Sequence, residues 1–336
     1  MVVTIIRGSR YTGPLHRMAR NRCLRFVRLY TRYSPIRRGT ARLAALGRRW
    51  CATPPPEVVR ARDGRRFEVD LSSGMCDTLY FRGEYEPAVT GVVRKVVSAG
   101  DVCIDAGANF GWYTTLLARL VGPTGGVHAF EPVPEVYAWL ERNVALSGHD
   151  PHVHLVRAAL GDGSQPEVTL YLFEEMSLGH TSLRSGRRTP SRVTTAPLMT
   201  LDEYLVGAAV GSVSFIKADI EGAELALIAG ADGVLAQPLP PIWVIEMARE
   251  TSEGFGYRPD AIVSYLRARA PYRFFAIDEH DGRLIEIEGF APREVGANVL
   301  CVPPGREACL SRFRIRPKPP DDFSPDRYPG RFVDDL

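Results

Sequence analysis

Hydrophobic positions along the middle of the chain fall into short apolar runs that end in an acid, each followed by a stretch of helical period. Val102–Asp105 is such a run, followed by a glycine-containing turn and a helical pattern over Tyr113–Leu120. Gly126–Glu131 repeats the design, with a helix over Pro134–Leu146 that proline opens at a favourable position. Val153–Ala158 and Glu167–Phe173 read as further strands, and 174–191 as a long polar loop rich in Gly, Ser and Arg. Ser214–Asp219 is another acid-terminated strand before the helix Ala223–Ala229, and Ile242–Glu246 another still. Pro259–Arg269 is helical, and Phe274–Ile277, Leu284–Ile287 and Val299–Val302 close the pattern. Alternation of this kind predicts a mostly parallel sheet with helices on both faces.

The ends of the chain read differently. A helix from Leu15 to about Arg32 gathers Leu15, Met18, Phe26, Leu29 and Tyr30 on one face. Arg17, Arg20, Arg28 and Arg32 point away, while Arg22, Leu24, Arg25 and Val27 spoil the separation. Pro54-Pro55-Pro56 is a stiff linker, which divides the chain into an arm (1–56), a body (57–302) and an irregular, proline-rich tail (303–336).

Charge sharpens this division. The whole chain of 336 residues carries a formal +3, but residues 1–56 hold thirteen Arg and no Lys, Asp or Glu. The remainder has 29 basic against 39 acidic residues, a net −10. Such an arm suits an anionic membrane surface, nucleic acid, organellar targeting, or the acidic body of its own or a neighbouring subunit. No run reaches the roughly 18 apolar residues of a membrane span. The six Cys (23, 51, 76, 103, 301 and 309) have no paired spacing, so a reduced, cytoplasmic chain is expected.

The chemistry concentrates at strand ends. Asp105, Glu131, Asp219 with Glu221, and Glu246 all fall at the carboxyl edge of the expected sheet, where open α/β sheets bind ligands. The run Asp105-Ala106-Gly107-Ala108-Asn109-Phe110-Gly111 places two glycines at a tight turn without the third glycine of a dinucleotide fingerprint. An acid two residues before Gly107 repels phosphate and attracts an ammonium. Glu131, twenty residues past Gly111, lies at the distance where an acid meets ribose hydroxyls. An adenosine bearing an amino acid and no phosphate, S-adenosylmethionine, meets both conditions, and a nicotinamide-dependent oxidoreductase is the rival reading.

The stretch from about Gly83 to Pro303 resembles the FkbM-type S-adenosylmethionine-dependent methyltransferases. The matching residues are Gly83–Pro87, Asp105–Tyr113, Phe130-Glu131-Pro132, Arg142-Asn143-Val144 and Ala159–Asp162. They continue with Thr181-Ser182-Leu183, Leu201-Asp202, Lys217–Glu224 and Glu246. The resemblance implies a Rossmann-like class I methyltransferase fold, a seven-stranded mostly parallel sheet with helices on both faces and an antiparallel last strand. It also implies O-methylation of a hydroxyl on a secondary metabolite or sugar. Asp105, Gly107, Asn109 and Gly111 are then expected along the methionine and ribose portion of the cofactor. Glu131 is expected on the ribose hydroxyls. Asp162 is either an adenine contact or a turn residue before Gly163.

Loss of a proton from an alcohol calls for a base, and Asp219, Glu221, Glu246 and His180 are the candidates. His180 has the competing reading of a solvated loop residue, and Lys217 shares a strand face with Asp219, so a structural ion pair competes there. Asp219, Glu221 and Glu246 are also hard oxygen donors of the kind Mg2+ takes, although acids at this edge have other work. His149, His152 and His154 cluster without zinc-ligand spacing and read as a loop entering a strand. The Asn/Asp-Pro-Pro-aromatic motif of base-amine methyltransferases is missing, its strand end being occupied by Asp219-Ile220-Glu221-Gly222. This favours an oxygen acceptor.

Overall fold

The computed structural model describes residues 14–33, 42–44, 46–47, 56–71, 76–148, 151–172, 181–182, 192–290 and 296–316. The chain opens with α1 (Pro14–Tyr33), the hairpin β1 (Glu57–Arg60) and β2 (Arg66–Val69), then α2 (Asp77–Arg82) and α3 (Pro87–Val96). Next come β3 (Val102–Ala106), α4 (Trp112–Val121), β4 (Gly126–Phe130), α5 (Pro134–Leu146) and β5 (Val153–Val156). Four strands follow, β6 (Ala159–Leu160), β7 (Glu167–Leu172), β8 (Thr181–Ser182) and β9 (Arg192–Met199), and then α6 (Leu201–Gly207). Further on lie β10 (Phe215–Ala218), α7 (Glu224–Ala229), α8 (Asp232–Leu235), β11 (Ile242–Ala248), α9 (Arg249–Gly254) and α10 (Asp260–Arg269). The chain closes with β12 (Arg273–Ile277), β13 (Leu284–Ile287), β14 (Gly296–Val302) and β15 (Ile315–Arg316).

The main sheet runs β15-β13-β12-β14-β11-β10-β3-β4-β5. Its seven strands from β12 to β5 match the sheet that the resemblance implied. β3, β4, β5, β10 and β11 pair in parallel, and β14, last of the seven in the chain, inserts antiparallel to both β11 and β12. β13 and β15 extend the sheet to nine strands, so part of the expected irregular tail is ordered. Residues 307–312 form a 3-10 helix, and Ile315 and Arg316 pair in parallel with β13. Residues 317–336 lie outside the described residues.

Side-chain alternation along the central strands splits the core in two. Cys103, Phe215, Val244 and Leu300 join Val93 of α3 and Leu116 of α4 on one face. Their neighbours Ile104, Ile216, Ile245 and Cys301 join Leu205 of α6, Leu227 of α7 and Leu266 of α10 on the other. Helices therefore cover both faces, and β10 is buried over its whole length, β3 over all but its first residue.

One strand expectation needs correction. β7 is not part of the main sheet; it pairs antiparallel with β8 and β9 in a small sheet ordered β6-β9-β7-β8. β9 escaped the sequence pattern because, of its eight residues, only Ala196 is buried. The N-terminal helix packs by a side other than its apolar grouping. Leu24, Val27 and Thr31 are buried, whereas Phe26, Leu29 and Tyr30 are exposed. The reason lies in the partner surface. Arg28 donates to Glu57 at 2.8 Å and lies over the Tyr80 ring, while the Thr31 hydroxyl donates to the Phe81 carbonyl at 2.8 Å. An arginine stem packs like an apolar side chain once its head meets a carboxylate.

Candidate functional site

The turn after β3 shapes the site. Gly107 has φ +78, and a Cβ placed on it would stand 1.9 Å from the Asp219 carbonyl oxygen. Only glycine fits where the β3 and β10 turns cross. Asn109 follows in the left-handed region at φ 52, which asparagine tolerates, and its side-chain oxygen accepts from the Phe110 N–H at 2.7 Å. Gly111, at φ +90, caps α4 against α5; a Cβ there would meet Leu140 Cδ1 at 2.8 Å.

Glu131 leaves the end of β4 and faces this turn. Its two oxygens accept from the N–H groups of Asn109 at 3.0 Å and Val133 at 2.9 Å. Burial pushes its pKa up to about 7, against the pull of those two N–H donors. The cleft beside it is lined by Gly107, Ala108, Asn109, Phe130, Glu131 and Pro132, and by Ala158, Ala159 and Leu160 near β6.

The other half of the same cleft is aromatic and acidic: Tyr85, Glu86, Trp112, Tyr113, Lys217, Asp219, Glu221 and Glu246. Lys217, fully buried, donates to Asp219 at 3.0 Å. Burial alone would lower the Lys217 amine, but Asp219, Glu86 and Glu246 outweigh it and hold the amine above its usual value. The Asp219 charge, then burial and the Glu221 charge, push Glu246 well above the carboxylate range. Glu86 accepts from the Tyr113 hydroxyl at 2.6 Å, and burial raises it to about 7.

A carboxylate below the surface fixes the loop carrying these acids. Glu224, almost fully buried, accepts from the N–H groups of Ile220 at 3.0 Å and Gly222 at 3.2 Å, and Tyr257 donates to the Gly222 carbonyl at 2.9 Å. Glu221 and Gly222 are consecutive left-handed residues at φ 55 and 104. A Cβ on Gly222 would meet the Thr251 carbonyl at 2.7 Å. Asp202 caps α8 by accepting from Gly233 and Val234, and the Asn143 amide bridges the Glu68 N–H and the Phe110 carbonyl. Several of the recognisable short motifs are thus braces rather than contacts of the cleft.

Of the expected site residues, the cleft gathers Gly107, Asn109, Glu131, Asp219, Glu221 and Glu246. Asp105 sits elsewhere: it is 1% exposed, accepts from the Thr114 hydroxyl at 2.6 Å, and burial raises it to about 6. Gly111 packs helices and does not line the cleft. Asp162 does not line the cleft; it is exposed and accepts from the Ser164 N–H at 3.0 Å. His180 lies outside the described residues. His154 stacks on His128, whose Nδ1 is 2.8 Å from the Tyr204 hydroxyl. No group of three His, Cys, Asp or Glu among the described residues is arranged to hold a metal ion.

Glu86, Tyr85 and Tyr113 escaped sequence reasoning as site residues because Glu86 precedes a helix rather than ending a strand. Their signal was membership of the runs Gly83–Pro87 and Asp105–Tyr113.

Among the described residues lining the cleft, Lys217 is the one basic side chain, and Asp219 already engages it. That donor set fits a cationic nucleoside without phosphates and offers nothing to a pyrophosphate. A Gly107 cradle pressed against the Asp219 backbone and a carboxylate at the end of β4 complete the fit.

A family model described as the methyltransferase FkbM domain matches residues 105–274. A curated protein-L-isoaspartate O-methyltransferase from Aeropyrum pernix is 35% identical over 81 residues, which cover 24% of this chain and 30% of that protein. Among solved structures, an S-adenosylmethionine-dependent O-methyltransferase from Thermotoga maritima aligns at 14% identity with a TM-score of 0.36, over 74% of this chain and 78% of that one. Aeropyrum pernix fibrillarin, determined with S-adenosyl-L-methionine bound, aligns at 12% identity with a TM-score of 0.36, over 74% and 83%.

Proposed function

The chain belongs to the FkbM methyltransferase family, and from that premise we propose that it methylates a hydroxyl oxygen of a small molecule with S-adenosylmethionine as donor. The observation that carries the reading is the two-sided cleft, with a phosphate-free nucleoside half at Gly107, Asn109 and Glu131 and an acid-rich half at Glu86, Asp219, Glu221 and Glu246.

When bound, the cofactor supplies a methyl group already activated by its sulfonium. The chain's own work is to hold, orient and deprotonate. Glu131 is suited to accept from ribose hydroxyls, since each carboxylate oxygen has a second acceptor site beyond its backbone N–H. Tyr85, Trp112 and Tyr113 offer flat apolar walls to an acceptor and exclude water. Asp219, Glu221 and Glu246 are the carboxylates in reach of an acceptor proton. The Asp219 charge raises the Glu246 pKa, so the two carboxylates titrate as a coupled pair on the acceptor side of the cleft. Correct alignment contributes several orders of magnitude in rate.

Calorimetry tests the cofactor assignment: Glu131→Ala should weaken S-adenosylmethionine binding by at least about tenfold, and an unchanged affinity overturns it. A labelled methyl-transfer screen over hydroxylated metabolites and sugars tests the acceptor class. A product carrying the new methyl on nitrogen or carbon would overturn the O-methyl reading while leaving the cofactor site intact.

A further inference from the structure

The buried side of α1 leaves its other side bare. Phe26, Leu29, Tyr30 and Tyr33 are 70%, 58%, 45% and 72% exposed, and they fall within about 100° of arc at helical spacing. Ten large apolar side chains are exposed among the described residues, and these four occupy one eight-residue stretch of one helix. Such a concentration marks an interaction surface rather than ordinary scatter.

Charge selects the partner. Residues 1–56 carry thirteen Arg and no acid. Arg28 and Arg32 turn inward, Arg28 to Glu57 and Arg32 to the Arg60 carbonyl, whereas the Arg25 side chain, 3.9 Å from Glu57, stays 72% exposed beside the apolar row. An apolar face with tyrosines at its margin, set in an acid-free and arginine-rich segment, has the composition of a helix that lies in a lipid interface. Nucleic acid would use the arginines but has no need of Leu29 and Phe26 pointing outward. The helix is not a span, since no helix among the described residues is long and apolar enough to cross a membrane.

We propose that the outer face of α1 docks the protein on an anionic lipid bilayer, with Phe26, Leu29, Tyr30 and Tyr33 entering the headgroup boundary and the arginines of the arm on its phosphates. The inner face stays on the body through Leu24, Val27 and Thr31. The helix also braces the cleft. Arg32 lies close to Gly83, and the Arg62 side chain, which reaches the Arg32 carbonyl, pairs with Glu84 just before Tyr85 and Glu86. The docking helix is therefore joined through Arg32 and Arg62 to the segment that lines the acceptor half.

Full-length protein sedimented with phosphatidylcholine vesicles, with and without phosphatidylglycerol, tests this without any turnover. Binding is expected to the mixed vesicles alone and to fall as salt rises. Phe26→Ser with Leu29→Ser should cut it by at least about tenfold while leaving the melting temperature unchanged, because both side chains are outside the core. Should that variant fold poorly, Phe26→Trp provides a second reading, with emission shifted to the blue and quenched by brominated lipid. Absence of binding to mixed vesicles, binding unaffected by the double substitution, or an indole in Phe26→Trp that stays in water overturns the proposal. So does a dimer that the double substitution dissociates, or retention on single-stranded RNA in place of vesicles.

Discussion

Gly107→Ala is the sharpest test of the cleft's geometry. The added Cβ would stand 1.9 Å from the Asp219 carbonyl oxygen and must retreat by about 1.1 Å to reach even the 3.0 Å limit of real contacts. That movement is resisted by a backbone bond from the Asp219 N–H to the Ala106 carbonyl at 3.1 Å, which ties the two turns together. Holding alanine at φ +78 costs about 1–2 kcal/mol, and overpacking between two strand ends about 1–3 kcal/mol more. The sum, about 2–5 kcal/mol, corresponds to a melting temperature lower by about 4–10 °C for a domain of this size. Thermal denaturation followed by circular dichroism measures the first effect, and calorimetric titration with S-adenosylmethionine the second, expected as at least about tenfold weaker binding. Gly91→Ala is the matched control. It lies within α3 with nothing within 4 Å of the new Cβ, so it should hold or raise stability by up to about 1 kcal/mol. A Gly107→Ala protein that melts with the wild type and binds cofactor equally well refutes the close crossing of the two turns.

Acidity should reveal the buried carboxylates. Burial raises Glu86, Glu131 and Glu224 to about 7 and Asp105 to about 6, so the folded apoprotein binds their protons more tightly than the unfolded chain does. Their contribution is fully present below the unfolded carboxylate range and is lost as pH rises toward 7. The urea midpoint should therefore be lower at pH 8 than at pH 5.5, with a shallower slope in Glu131→Gln, and the reverse trend refutes these shifts. Lys217→Met strips the cation from Glu86, Asp219 and Glu246, and a loss of about 3–5 kcal/mol is expected in urea unfolding at pH 8. Adding Asp219→Asn should recover part of that loss, and strict additivity of the pair would count against the coupling. Asn143→Leu leaves the Glu68 N–H and the Phe110 carbonyl without their partner, which should cost about 2–4 kcal/mol in the same measurement.

Much of the main sheet was legible because its strands are local signals. Leu284–Ile287 and Pro134–Leu146 form over the expected residues, since an apolar run or a 3.6-residue period needs no knowledge of distant neighbours. The small sheet was not, because β9 buries one side chain and is held by pairing with β7, a contact between segments about twenty residues apart. The same difference runs through the site. Glu131, Asp219 and Glu246 announced themselves by ending apolar runs or lying near their ends, but Glu86 belongs to the site only because the fold brings it to Tyr113 of α4 and Lys217 of β10. Asp105, an acid of the same pattern, turns inward to Thr114 instead.

By itself, then, the sequence determined the strand–helix alternation of the main sheet, the acidic carboxyl edge, the family and an arm without acids. Those properties are written in residue type and spacing. Tertiary structure decided which carboxylates face the cleft, which brace it, and which side of the N-terminal helix is buried. Leu24 and Val27 lie on the poorer apolar side, yet they pack because Glu57 and Tyr80 receive Arg28 there. A helix shows its pattern to any partner, but only the partner's shape and charge select the face that is covered.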